Sequence, residues 1–256
     1  MPKANIAEAE TELRAVLDLK EKALGPENRD TIGTRNNLAS TLAAEGKYAE
    51  SEAQFRTLVK LAEKAFGPEH PHTLAGRGNL AELLDKEGKY AEAETEEREV
   101  LNLDEKVLGP EHPDTLDTRA NLAGTLLHQG KYVEAETEAR QVVRLDEKVH
   151  GPEHPSTLEI RNSLAEAIAA QGKYSEAETE YRSVLTLREK VLGVEHPDTL
   201  ATCFNLATCL RDEGNASEAK ALAQRAANGG RKSLGPEHPD TKKYEQLRDE
   251  LSAKQE

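Results

Sequence analysis

The sequence predicts an all-α solenoid, a stack of helical hairpins, and three observations predict it. A phrase recurs every 42 residues: GPEHPHTL at 67–74, GPEHPDTL at 109–116, GPEHPSTL at 151–158 and GVEHPDTL at 193–200, with weaker copies GPENRDTI at 25–32 and GPEHPDTK at 235–242. A period of roughly 20–50 residues is the signature of repeat architectures. A shorter phrase, GKY, keeps the same interval at 46, 88, 130 and 172 and decays to GNA at 214. Between the two phrases apolar residues recur at helical spacing, and no alternating run is long enough for a strand.

The elements follow in chain order. A lone helix opens the chain (1–24, regular from about residue 5). Five hairpins follow at 31–66, 73–108, 115–150, 157–192 and 199–234, and a capping helix closes it at 240–252. In the third hairpin Asp114, after Pro113, is placed to cap the first helix, and STLE at 156–159 has the capping-box pattern in the fourth. Leu116, Leu122, Ala123 and Leu126 form the apolar stripe of that first helix, and Gly130 stops it. A second helix begins near Val133 and carries Ala135, Ala139, Val142, Val143, Leu145 and Val149 at helical spacing, until Gly151, Pro152 and Pro155 end it. A lone hairpin cannot bury its stripe, so neighbours must cover one another. Ala39, Ala81, Ala123, Ala165 and Ala207 share one equivalent position, where helices have to approach closely. In the fifth hairpin NGG at 228–230 falls inside the second helix, and each Gly there costs roughly 1 kcal/mol relative to Ala. The closing helix carries Lys242, Glu245 and Arg248 on a face that elsewhere stacks, as a cap requires. The array is therefore expected to be weakest from residue 217 onward. A chain that begins and ends on half-hairpins is what a segment of a longer array would show.

Composition narrows the function classes. Charged residues make up 32%, aromatics 4%, there is no Trp, and the net charge is -14. Nucleic acid and anionic membrane surfaces are poor partners for such a chain, because both attract Lys and Arg. No apolar run approaches the ~20 residues of a membrane span, and the N-terminus lacks the apolar core of a secretory signal, so a cytoplasmic location is expected. Cys203 and Cys209 lie six apart in one helix, point well apart, and read as two buried thiols.

These features resemble the tetratricopeptide repeat (TPR), in the long 42-residue form of kinesin light chains. The resemblance rests on NLA at 37–39, 79–81, 121–123 and 205–207, GKY in the turn, EAE at 92–94, 134–136 and 176–178, and LGPEHPDT between repeats. It departs from the shorter repeats early in the first helix, where Arg35, Arg77, Arg119 and Arg161, then Cys203, replace a large apolar residue. The resemblance implies a right-handed superhelix whose concave groove is lined by the first helix of each hairpin and holds peptides or helices of other proteins. It also implies ligand contact by the Asn of NLA.

Three ladders then ask for a role. His70, His112, His154, His196 and His238 stand in equivalent loops. Equivalent residues of packed helices lie ~10 Å apart, too far for one ion with bonds of about 2 Å. His70 and His72 form the only close pair by sequence, so the ladder reads as turn-fixing, and no metal or cofactor is expected. Inter-repeat ion pairing with Glu is the first reading of the arginine ladder. Asn37, Asn79, Asn121 and Asn205, with Ser163 in the fourth repeat, stand about 200° of helix from the stripe. Two roles stay open for them and can coexist: contact with a peptide backbone, or an inter-helix hydrogen bond. Groove positions around them read Gly33, Ala75, Asp117, Glu159 and Ala201, then Ser40, Glu82, Gly124, Glu166 and Thr208, then Ala44, Lys86, His128, Ala170 and Asp212. Their variation favours a specific binder over a spacer. Acids dominate, so the expected partner is a protein or peptide carrying Lys or Arg, bound at Asn37, Asn79, Asn121, Asn205, Glu82, Asp117, Glu159 and Glu166. The alternative is a structural or sensor module with no groove ligand. No phosphate loop, HExxH or GxSxG motif appears, and no enzyme activity is expected.

Overall fold

The computed structural model describes residues 3–253, and among them lie twelve helices and no strand. The chain divides into two compact units, residues 1–129 and 130–256. The first holds α1 (Lys3–Leu24), α2 (Arg29–Ala44), α3 (Tyr48–Phe66), α4 (Pro71–Lys86), α5 (Tyr90–Val107) and α6 (Pro113–His128). The second holds α7 (Tyr132–Val149), α8 (Pro155–Ala170), α9 (Tyr174–Val191), α10 (Pro197–Glu213), α11 (Ala216–Ser233) and α12 (Pro239–Ala253). Within each unit every helix packs chiefly on the next one in sequence, the nearest-neighbour stacking of a repeat solenoid.

The recurring phrase is a loop-building device. Gly109 takes φ 93°, a left-handed conformation that Gly alone adopts without strain, and ends the preceding helix. His112 is the N-cap of α6, and its Nδ1 accepts from the Asp114 amide at 3.2 Å. Pro113 takes the first helical position, where its missing N–H is no loss. Thr115, fully buried, donates its hydroxyl to the Gly109 carbonyl at 2.8 Å, and Leu116 enters the core. The same Thr-to-Gly bond recurs at 73, 157 and 199.

This corrects two sequence expectations. Neither Asp114 nor the Ser156–Glu159 pair caps its helix. Proline fits only the position after the cap, so the cap is the histidine before it, at His70, His112, His154 and His196. In the first hairpin, which lacks that proline, Asn28 does the same work. Replacing His112 with Ala should therefore lower stability by about 1 kcal/mol, and His112→Asn should be near neutral. Urea unfolding of the two variants checks this, and equal losses would refute a capping role.

The cores are thin and local. In the first unit Leu17, Leu38 and Leu42 form one cluster, Ile32, Leu58 and Ala62 another, and Ala39, Phe55, Leu80, Leu83, Leu84 and Ala93 a third. In the second, Leu200, Cys203, Ala226, Ala227 and Tyr244 pack together. The five recurring alanines are all buried. Cys203 and Cys209 are free and buried, as the sequence implied.

The arginine ladder divides between two kinds of partner. Arg77 pairs with Glu96 and Glu99 (2.7 and 2.5 Å) and Arg161 with Glu180 (2.6 Å), inside their own hairpins. Arg35 and Arg119 reach back to Glu21 and Glu105 on the preceding helix. Inter-repeat pairing was expected throughout, but helix-A arginines meet carboxylates on both flanking helices. The regular inter-repeat ladder lies elsewhere, on the second helices: Arg14–Glu50, Arg56–Glu92, Arg140–Glu176 and Arg182–Glu218, at 2.5–2.8 Å.

One seam position varies from repeat to repeat. A residue late in a second helix faces one fourteen further on, in the next first helix. Lys20 donates to Thr34 and Arg188 to Thr202, and Asp104 accepts from Thr118, each at 2.9 Å. At the last seam Gly230 makes room for Tyr244, whose ring would stand 3.1 Å from a Cβ added there. Gly229 is tighter still, since an added Cβ would fall 2.5 Å from Leu200. The NGG glycines therefore permit close packing of α11, beyond the propensity cost read from the sequence.

Candidate functional site

The first helices carry every polar residue assigned to binding. Asn37 (α2), Asn121 (α6), Glu82 (α4), Asp117 (α6), Glu159 and Glu166 (α8) are exposed, while Asn79 (α4) and Asn205 (α10) are half-buried. None is committed to the apolar stripe, which is why polar side chains are tolerated there.

Three clefts gather most of them. In the first unit a cleft of about 400 Å³ brings Asn37 and Asn79 together with Gly33, Asn36, Lys20 and His72. Asn79 donates its amide to Asn36 at 2.8 Å, so at this seam the inter-helix hydrogen bond exists alongside cleft lining. A second cleft of about 380 Å³ places Asn79 with Glu82, Tyr48 and Phe55, and Lys86 pairs with Glu82 at 2.5 Å. In the second unit a cleft of about 510 Å³ sets Asn205 and Glu166 beside Tyr174, Tyr181 and Phe204. Asp117, Asn121 and Glu159 line none of these three clefts.

The lining differs from the expected acidic, aromatic-poor stripe in two ways. Aromatic rings line the clefts, Phe204 from the first helix α10 and the others from the second helices α3 and α9, Tyr48 and Tyr174 being the tyrosines of GKY. Their periodic recurrence was the available signal, and it was read only as turn chemistry. Cations also enter: Lys20 and Lys243 from neighbouring helices, and Arg29 and Arg211 from the ends of the first helices α2 and α10 themselves. Arg211 is held by Asp212 at 2.8 Å, and Lys243 lies 3.5 Å from Asp240.

A polar cluster that sequence reasoning missed lies between α4, α5 and α6. Glu97 is 2% exposed, at the position where other hairpins carry Phe55, Ala139, Tyr181 and Ala223. Thr125 donates to it at 3.0 Å, its second oxygen has no hydrogen-bond partner, and Asp85 and Glu94 stand nearby. Burial first, then those like charges, raise its pKa to about 8 against the Thr125 hydrogen bond. His128, on the same stripe of its helix as the other positions three and seven beyond the asparagines, meets Asp85 at 2.9 Å and packs tilted against Tyr90, with ring centroids 5.3 Å apart. The signal was a lone glutamate at an aromatic or alanine position.

The arrangement suits binding better than bond-making chemistry. Cys209 lines the second-unit cleft, but burial pushes its thiol up to about 11, so at neutral pH it carries its proton and is a poor nucleophile. No helix among the described residues is long and apolar enough to cross a membrane.

Comparison with known proteins agrees with this architecture. A tetratricopeptide-repeat family model matches residues 30–106, 98–148, 114–190 and 156–232. A Podosopora anserina kinesin light chain-like protein with nearly identical TPR-like repeats, solved as a point variant, is 29% identical, with TM-score 0.71 over 79% of this chain and 96% of that one. BtubC (BKLC) from P. vanneervenii shares 20% identity, with TM-score 0.69 over 92% of each chain. Bacillus thuringiensis PlcR, solved in complex with the peptide PapR7 and DNA, shares 14% identity, with TM-score 0.60 over 88% of this chain and 75% of that one. No curated protein matches the sequence.

Proposed function

From the premise that the chain belongs to the tetratricopeptide-repeat family, we propose that it is a non-enzymatic protein-interaction scaffold that binds a peptide along its first helices. The observation that carries this reading is the grouping of NLA amides in clefts: Asn37 with Asn79 in one unit, Asn205 with Glu166 in the other. Asn offers a donor and an acceptor, which suits a peptide backbone of any sequence. The aromatic rings of Tyr48, Tyr174 and Phe204 give side chains of the ligand an apolar surface. PlcR, a fold relative, is a precedent for a peptide held by this architecture.

The ligand in this reading carries Lys or Arg. Glu82, Asp117, Glu159 and Glu166 are exposed on the first helices, and the chain's charge of -14 attracts cations at long range. Lys20 and Arg29 in the first cleft leave room for an acidic residue at that end of the peptide.

Matched basic, neutral and acidic peptide libraries, titrated by fluorescence anisotropy at low and moderate salt, test the proposal. The expected result is tightest binding of basic peptides, weakened by salt. Replacing Asn79 and Asn121 together by Ala should reduce it at least tenfold without changing helicity. A preference for acidic peptides, or basic binding indifferent to salt and to both substitutions, would show that this face is not the site.

A further inference from the structure

The junction of α7 and α8 departs from all its counterparts at two positions, His150 and Ser156, and shares Asp146 with one of them. His150 stands where other repeats have Leu24, Phe66, Leu108, Leu192 and Leu234. Asp146 stands where they have Lys20, Ala62, Asp104, Arg188 and Gly230, and Ser156 where they have Asp30, His72, Asp114, Asp198 and Asp240. Folding brings the two departures together with Asp146 and the repeated His154. The sequence left His70 and His72 as the only close histidine pair. The structure adds a second, because the turn after α7 folds His150 back over His154, with rings stacked 4.7 Å apart at 22°.

Asp146 anchors the group. It is 2% exposed, and its Oδ1 accepts from His150 Nδ1 at 2.8 Å. Its Oδ2 accepts from the hydroxyl of Ser156 at 2.9 Å and from that of Thr157. Ser156 Oγ also lies 2.7 Å from His154 Nδ1. Burial alone would raise the carboxyl's pKa, but the hydrogen bonds from Thr157, His150 and Ser156 outweigh it and hold the group below its ordinary value. The carboxylate is therefore charged at neutral pH, while His150 and His154 keep an edge open to water.

We propose that Asp146, His150 and His154 form a binding site for a divalent transition-metal ion, zinc being the simplest case. Two imidazoles and one carboxylate are a donor set for zinc, nickel or copper, whereas calcium and magnesium take oxygen ligands. One donor atom from each residue lies within 4.8 Å of those of the other two. Bonds of 2.0–2.1 Å in a tetrahedron space the ligands about 3.3 Å apart. Closing that gap takes side-chain rotation of two histidines at the ends of a short loop. The ion replaces the proton that His150 Nδ1 shares with Asp146, and that proton moves to Nε2 of the same ring. Three protein ligands leave a position for water or for a side chain of a bound partner.

The protein's own repeats supply the test variants. His150→Leu installs the residue of Leu108 and Leu192, and His154→Asn installs the cap used at Asn28. Both should keep the helical fold, which circular dichroism verifies. Calorimetric titration of the full chain with zinc chloride should show one saturable site of micromolar affinity or better. Each variant should weaken it at least tenfold, while His112→Asn, whose loop has Leu108 in place of a second histidine, leaves it unchanged. Zinc should raise the Tm of the wild type and fail to raise that of His150→Leu. Saturable binding unaffected by both variants, loss of binding in His112→Asn to the same extent, or no saturable binding at all would overturn the assignment.

Discussion

Replacing Glu97 with Gln is expected to abolish most of a fall in stability that the wild-type protein shows between about pH 5 and pH 8. The sign follows from proton binding. Glu97 titrates near 4.5 when unfolded and near 8 when folded, so between those values the folded state holds the extra proton. Stability then falls as pH rises through the window and levels off above the folded value. A rigid, dry site would make the effect about 5 kcal/mol, and water entry on ionisation reduces it to about 3 kcal/mol. Gln keeps the Thr125 bond and cannot ionise, so the variant should gain its advantage at pH 8 and lose it at pH 5. Urea unfolding of both proteins at several pH values measures the difference, in which every other titrating group cancels. Parallel stability curves would show that Glu97 is solvated in the folded state.

Tyr244→Ala should cost about 3–5 kcal/mol, as other buried aromatic truncations do. Tyr244 is 4% exposed, packs on Phe204 at 5.2 Å and fills the space that Gly230 leaves. α12 packs almost wholly against α11, so its loss leaves α11 without its neighbour. Hydrogen exchange should then show residues 217–252 losing protection while 157–192 keeps most of its own. Even in the wild type, protection from 217 onward is expected to be lowest, because apart from Leu222 α11 buries small side chains, Ala219, Ala223, Ala226 and Ala227. Uniform protection across the second unit would contradict this.

The hairpin architecture was legible because periodicity reports it directly: Gly, Pro and the buried leucines and alanines sit at fixed offsets that only a helical hairpin satisfies. The caps were misassigned because Asp and Ser are stronger caps than His in general, and only the place of Pro settles which residue precedes the helix. That the NLA amides stand off the apolar stripe was legible from their angle to it. Their companions were not, because Tyr48, Tyr174 and Lys20 arrive from other helices, and a one-helix angle cannot see them. Glu97 and the Asp146 cluster stayed hidden for a related reason. Both are departures from a consensus, and reading a repeat rewards what recurs.

The varied seam bears on how freely the number of repeats can change. Near-identical units invite the excision of one copy, and on apolar pattern alone a shortened chain would close as well as the original. The seam residues do not allow it everywhere. Removing residues 189–230 would set Arg188 against Tyr244, where Gly230 now stands. The guanidinium would lose the Thr202 hydroxyl and crowd a ring that offers no acceptor in its place, keeping only a backbone carbonyl, that of Asp240 where Asp198 now stands. At the last seam copy number is thus written into one pair of residues, since the space beside Tyr244 is open only to a glycine, whereas Lys20, Asp104 and Arg188 each meet a threonine.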